Sequence, residues 1–195
     1  MEELIMKRSR KAALILMAPA LPFMLAGCGE EASQAVVFTS AEECSSFATV
    51  AAADQCLADF KAAQALHPQV APKYANKAEC EVDFGAGQCE TAPEQHASGS
   101  FFMPLMMGYL AGQMLNRQGA APGAAANTAR NGVQSQPLYK SADDRSTFRT
   151  ATNTPVARQT GPAAVRPSQV QPRASAIAQR GGFGAQAASR QTVGG

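Results

Sequence analysis

Apolar and polar residues alternate unevenly along this chain, and their spacing divides it into segments of different character. An uncharged, largely apolar run from Ala12 to Met24 follows the basic cluster Lys7-Arg8-Ser9-Arg10-Lys11. Its 13 residues fall short of the roughly 20 that cross a bilayer as a helix, and Pro19 and Pro22 interrupt it. From Ala51 to Leu66 the period becomes helical, with Cys56, Phe60 and Ala63 along one stripe and Leu57 and Gln64 beside it. His67-Pro68 closes that stripe, because the residue before a proline avoids the helical region. Two shorter helices flank it. Ser40-x-x-Glu43 and Asn76-x-x-Glu79 are capping boxes, and Gly85 stops the second helix ahead of a Gly85-Ala86-Gly87 loop.

Gly99 to Leu115 is apolar and uncharged. Pro104 suits the first turn of a helix, and Gly108 and Gly112 give that helix a small-residue face for close approach. From Asn116 onward no apolar period is sustained. Ala, Gly, Pro, Gln and Arg dominate, and such a stretch buries too little surface to offset its chain entropy. The expectation is a disordered tail with a typical end-to-end distance of about 50 Å. The predicted architecture is mostly α: a small disulfide-stapled helical head, followed by a short apolar Gly/Met helix and a long disordered tail. The boundaries are a leader at 1–27, a linker at 28–37, the head at 38–96, the apolar segment at 97–115 and the tail at 116–195.

Leu25-Ala26-Gly27-Cys28 ends the leader as a bacterial lipobox, after a basic n-region and a short apolar core. Cys28 is then diacylated and becomes the first mature residue. Two or three acyl chains hold a protein firmly at a membrane where one does not. Gly29, in place of Asp, directs a lipoprotein of a Gram-negative host to the inner leaflet of the outer membrane. Export also places the chain where disulfides persist.

Four cysteines remain, Cys44, Cys56, Cys80 and Cys89, an even number that reads as two bridges. They fall in a weak repeat: Phe38 to Cys44 aligns with Tyr74 to Cys80, and each copy ends in Gln-Cys. Pairing within each copy, Cys44–Cys56 with Cys80–Cys89, is favoured; the crossed arrangement Cys44–Cys89 with Cys56–Cys80 is the rival. A chain with 6% aromatic residues and no Trp builds only a small core, which needs such covalent support. With no CxxC and only His67 and His96 as imidazoles, no metal site and no cofactor are expected.

Charge is split along the chain. Between Cys28 and Ser100 eleven carboxylates face three lysines, a net of −8; from Asn116 onward ten basic residues face two aspartates, a net of +8. Glu42, Glu43, Asp54, Asp59, Glu79, Glu81 and Asp83 match no calcium loop and chiefly solvate helix surfaces; a cation- or polyamine-binding head is the alternative. The basic tail suits anionic lipid or cell wall. Arg180-Gly-Gly-Phe-Gly184 has the look of an RNA-binding element, but an exported chain meets no nucleic acid, and none is expected as a partner. Phe101, Phe102, Met106, Gly108 and Gly112 are the candidate interaction residues, against core, membrane, a second copy or an envelope protein. Gln136-Pro-Leu-Tyr139 is an apolar island placed to dock back on the head. Neither a Ser/His/Asp nor a Cys/His set is available, so the chain reads as non-catalytic.

Pro72-Lys73-Tyr74-Ala75, the block from Glu79-Cys80 to Gln88-Cys89, and Gly99-Ser100-Phe101 through Met106 resemble the YgiB family, as do Pro137-Leu138-Tyr139 and Arg180 to Gly184. The resemblance implies an uncharacterised proteobacterial envelope protein with a lipoprotein-like leader, and no particular activity, fold or site. The combined expectation is a lipid-anchored, periplasm-facing interaction or tethering module. The alternatives are a small-molecule binder and a self-assembling structural lipoprotein.

Overall fold

Ala35-Val36-Val37-Phe38 is a short apolar run with both faces buried, and the fold is organised around it. The structure is a computed structural model that describes residues 30–47, 53–93, 101–112, 133–174, 182–185 and 187. The leader, Cys28 and His96 lie outside these residues. The strand β1 (Ser33–Phe38) is central in an antiparallel sheet with β4 (Gly108–Ala111) on one side and β8 (Gly161–Val165) on the other. Val37 stands opposite Leu110 in β4 and Gly161 in β8. The strand β5 (Gln136–Leu138) extends the sheet beyond β4.

Alternation along β1 sends side chains to opposite faces. Ala35 and Val37 join Leu110, Leu138, Ala163 and Val165 in one core. Val36 and Phe38 join Tyr109 and Ala111 in another. Two helices cover the second face, α1 (Ala41–Phe47) and α2 (Ala53–Val70), with Cys44, Cys56 and Ala63 facing inwards. A third core lies under α3 (Lys77–Phe84) and a ribbon of β2 (Cys89–Thr91) with β3 (Phe102–Pro104). A small hairpin, β6 (Phe148–Arg149) with β7 (Pro155–Ala157), and a single turn α4 (Pro167–Val170) complete the described elements.

The protein is therefore mixed α/β, and two parts of the mostly α expectation are overturned. The predicted Gly/Met helix is instead the two strands β3 and β4, so Gly108 and Gly112 present no helical face. A short apolar run has no internal sign that separates a strand from a buried helix. The predicted disordered tail supplies β5 to β8 and α4 within residues 133–174. Each of its strands adds one or two apolar side chains to a core supplied by the head, so the tail needs no period of its own. α2 also runs past His67-Pro68 to Val70, since a proline in the last turn leaves little helix to disturb.

The caps form largely as spaced. Ser40 Oγ accepts the Glu43 N–H at 3.1 Å, but the Glu43 carboxylate reaches Thr39 rather than Ser40. Asn76 Oδ1 accepts the Glu79 N–H at 2.9 Å, and Gly85 ends α3 with φ of 106°. The disulfides join Cys44 to Cys56 and Cys80 to Cys89, the pairing within each repeat copy. In both copies the leading aromatic meets the phenylalanine after the cysteine edge to face: Phe38 and Phe47 at 5.8 Å, and Tyr74 and Phe84 at 6.0 Å. Phe183, from the Arg-Gly-Gly-Phe-Gly stretch, packs 4.6 Å from Phe84 in the third core. Burying such a ring contributes roughly 1.5–3 kcal/mol.

Candidate functional site

His67 continues the buried stripe of α2 that begins at Cys56 and passes through Ala63. A buried imidazole needs partners for both nitrogens, and two other elements provide them. Its Nδ1 lies 2.8 Å from the hydroxyl of Tyr139, which follows β5, and its Nε2 lies 3.4 Å from Glu90 Oε1 on β2. Tyr139 is fully buried against Phe84 and Phe183. Burial raises its phenol pKa well above 10, and the Glu90 charge adds to the effect, so it remains a neutral hydroxyl.

His67 and Glu90 form part of the wall of an open cavity of about 460 Å³ between α2 and the β2–β3 ribbon, with Tyr139 behind the imidazole. Phe60, Pro68, Met103 and Met106 supply its apolar lining, and Gln64 and Glu90 its polar one. Such a mixture, apolar walls with a few fixed polar groups, is typical of binding sites. Among the described residues no group of three His, Cys, Asp or Glu side chains converges as a metal site. No helix among them is long and apolar enough to cross a membrane.

The sequence-predicted interaction residues are only partly brought together. Met106 reaches the cavity. Phe101 and Phe102 are half-buried against the third core, and Phe102 exchanges two backbone hydrogen bonds with Tyr74, at 2.8 and 2.9 Å. Gly108 and Gly112 are buried, with Phe38 and Phe148 against the first and Val133 against the second. Glu90, Met103 and Tyr139 escaped sequence reasoning as site residues. Their signal was faint: His67 keeps to the stripe of Cys56 and Ala63 beyond the point where Pro68 ends the predicted helix.

The family described as a protein of unknown function, DUF1190, matches residues 32–194. The chain belongs to that family. It is 31% identical, over 95% of its length, to a UPF0441 protein of Erwinia tasmaniensis, 85% of which is covered. It is 34% identical, over 55% of its length, to a UPF0441 protein of Sodalis glossinidius, 53% of which is covered. No solved structure matches the chain. The DUF1190 match starts one residue before β1 and runs beyond Phe183, so it takes in every element that builds the cavity.

In this member of the family the buried imidazole makes stability depend on pH. Desolvation lowers the His67 pKa below 6.5, and Glu90 opposes the shift. The unfolded chain therefore binds a proton at a pH where the folded protein does not. Stability is fully present above pH 6.5 and falls as pH drops towards the lowered folded value, by up to about 1.4 kcal/mol per pH unit. Urea melts between pH 7.5 and 5.5 should show this loss, and His67→Gln should flatten it. An equal slope in both proteins would assign the dependence to other groups.

Proposed function

We propose that the protein is a bacterial envelope lipoprotein, anchored by lipid on Cys28, whose folded body is a non-catalytic interaction module. The observation that carries this reading is the pair of disulfides downstream of the lipobox, because such bonds form and persist in oxidising compartments. The relatives come from proteobacteria, the host type in which Gly29 favours the inner leaflet of the outer membrane. The resemblance of the residues quoted above to YgiB proteins supports the same reading.

The start of the folded body supports a close fit to the bilayer. Glu30 accepts hydrogen bonds from the backbone N–H of Ser168, at 2.9 Å, and from its hydroxyl. Glu30 is two positions beyond Cys28, and two residues of extended chain reach at most about 7 Å. The body then rests beside the membrane, with the exposed Arg166 and Arg173 near α4 as contacts for anionic headgroups. Partners on the same surface, either another envelope protein or a second copy, are the ones it meets. A non-catalytic role agrees with the His67 surroundings, where the imidazole faces a phenol and a carboxylate.

Palmitate labelling and fractionation test the anchor. The wild type should take up label and sediment with membranes, and Cys28→Ala should do neither; label retained in the variant overturns the anchor. A photo-crosslinking residue at Gln64, on the cavity wall, tests the module. A protein adduct supports it, and capture of nothing beyond the same chain overturns it.

A further inference from the structure

We propose that the cavity beside His67 binds a small organic monocation, an ammonium group carried on a single ring or a short hydrocarbon chain, with Glu90 as its counter-charge. The site goes beyond the lipid anchor and does not depend on it. Its starting point is an unbalanced charge. Among the described residues that line the cavity, Glu90 is the one ionised side chain, and it is 44% exposed. Its side-chain partner among them is His67, through Nε2 at 3.4 Å. Burial lowers the pKa of that imidazole, so it is uncharged at neutral pH. The contact therefore orients the carboxylate without neutralising it.

The carboxylate is held in place before any ligand arrives. A carboxylate only accepts, so the ring proton sits on Nε2, which donates to Glu90 Oε1. Nδ1 then accepts from the Tyr139 hydroxyl at 2.8 Å, and Tyr139 is locked by Phe84 and Phe183. Glu90 is fixed from its own strand by pairing with Met103. One carboxylate oxygen is thus engaged, and the second remains to accept from a ligand. Apolar side chains flank it. Met103, directly opposite Glu90, projects to the same face of the ribbon. Phe60, Pro68 and Met106 line the same space, and Phe60 is held edge to face by Tyr109 at 5.4 Å.

Charge and lining together select the guest. An anion would meet a carboxylate and no cationic side chain in the lining. A neutral apolar molecule would cover that carboxylate and leave it unpaired, at a cost in desolvation. A polyamine would bring several charges to one carboxylate, and the others would lose water against Phe60 and the two methionines. A metal ion finds no group of three His, Cys, Asp or Glu side chains among the described residues, and both imidazole nitrogens are engaged. A single ammonium on a hydrocarbon body meets every condition. One of its N–H groups goes to Glu90, another to the Gln64 amide oxygen or to water at the open mouth, and the body rests on the apolar wall. The cavity's volume of about 460 Å³ lies in the range of small-molecule sites.

The test follows the methyl resonances of Met103 and Met106 by NMR while phenethylammonium is added to the purified, oxidised full chain. Both should shift along one saturating curve. Two comparison probes separate charge from shape: 3-phenylpropanoate has a similar body and the opposite charge, and putrescine has two charges and no ring. Each should bind more weakly by roughly tenfold or more, the scale of one charge-assisted hydrogen bond. Glu90→Gln keeps an acceptor for His67, so the melting temperature should change little. In that variant the preference for phenethylammonium over the neutral 3-phenylpropanol should fall by a similar factor, which a purely structural role for Glu90 would not produce. The proposal is overturned if the methyl shifts do not saturate, if either comparison probe binds as tightly as phenethylammonium, or if Glu90→Gln keeps the preference.

Discussion

Gly112→Ala should unfold a large share of the protein at temperatures where the wild type is intact. Gly112 follows β4, and a methyl group there would overlap the Val133 carbonyl oxygen and crowd its Cβ. The obstruction is backbone, so no rotamer change relieves it, and the chain around Val133 has to move. Overpacking of this kind costs about 1–3 kcal/mol and sometimes more. We expect about 3 kcal/mol, which lowers Tm by roughly 10 °C for a domain of this size. Gly87→Ala is the control: φ is 73° and nothing lies within 4 Å, so only the left-handed backbone is penalised, by about 1–2 kcal/mol. The loss at Gly112 should not vary with protein concentration, because the contact is intramolecular. A loss that shrinks as concentration rises would point to an oligomer held together at that position. An unchanged Tm would mean that β4 and Val133 do not meet.

Parts of the fold that depend on local chemistry were legible in the sequence. A capping side chain acts within three residues, so Ser40 and Asn76 mark helix starts wherever the rest of the chain lies. Gly85 stops α3 for an equally local reason. The sheet was not legible, because its strands are recognised by what covers them. Val36-Val37 and Tyr109-Leu110 read as a linker and as helix until they pair, whereupon both faces are buried. In the tail, Leu138, Phe148 and Val165 stand one to a strand among small and polar residues, so no segment announces itself. The candidate site was hidden twice over. Its histidine lies beyond a proline that nominally ends the helix, and its partners arrive from β2 and from the residue after β5, 23 and 72 positions away.

Removing both disulfides should bring the protein close to its unfolding threshold under ordinary conditions. The bridges span 12 and 9 residues, and loop entropy gives each about 3 kcal/mol through the unfolded chain. They lie in different cores, Cys44–Cys56 beneath the sheet and Cys80–Cys89 beneath the ribbon, so their effects should add. A loss of about 6 kcal/mol compares with a typical total of 5–15 kcal/mol. Thermal melts of Cys44→Ala/Cys56→Ala and Cys80→Ala/Cys89→Ala should each fall by roughly 10 °C, and the quadruple variant by the sum. The two pairs should differ at the candidate site. Cys89 precedes Glu90 in β2, so loss of the second bridge loosens the carboxylate beside His67, whereas loss of the first loosens α1. Only Cys80→Ala/Cys89→Ala should therefore shift the pH dependence set by His67 at a temperature where both variants are folded. Equal pH profiles would show that the ribbon is held by the Glu90–Met103 pairing rather than by its disulfide. Melting losses below about 3 °C would show that the bridges restrain little that the cores do not already hold.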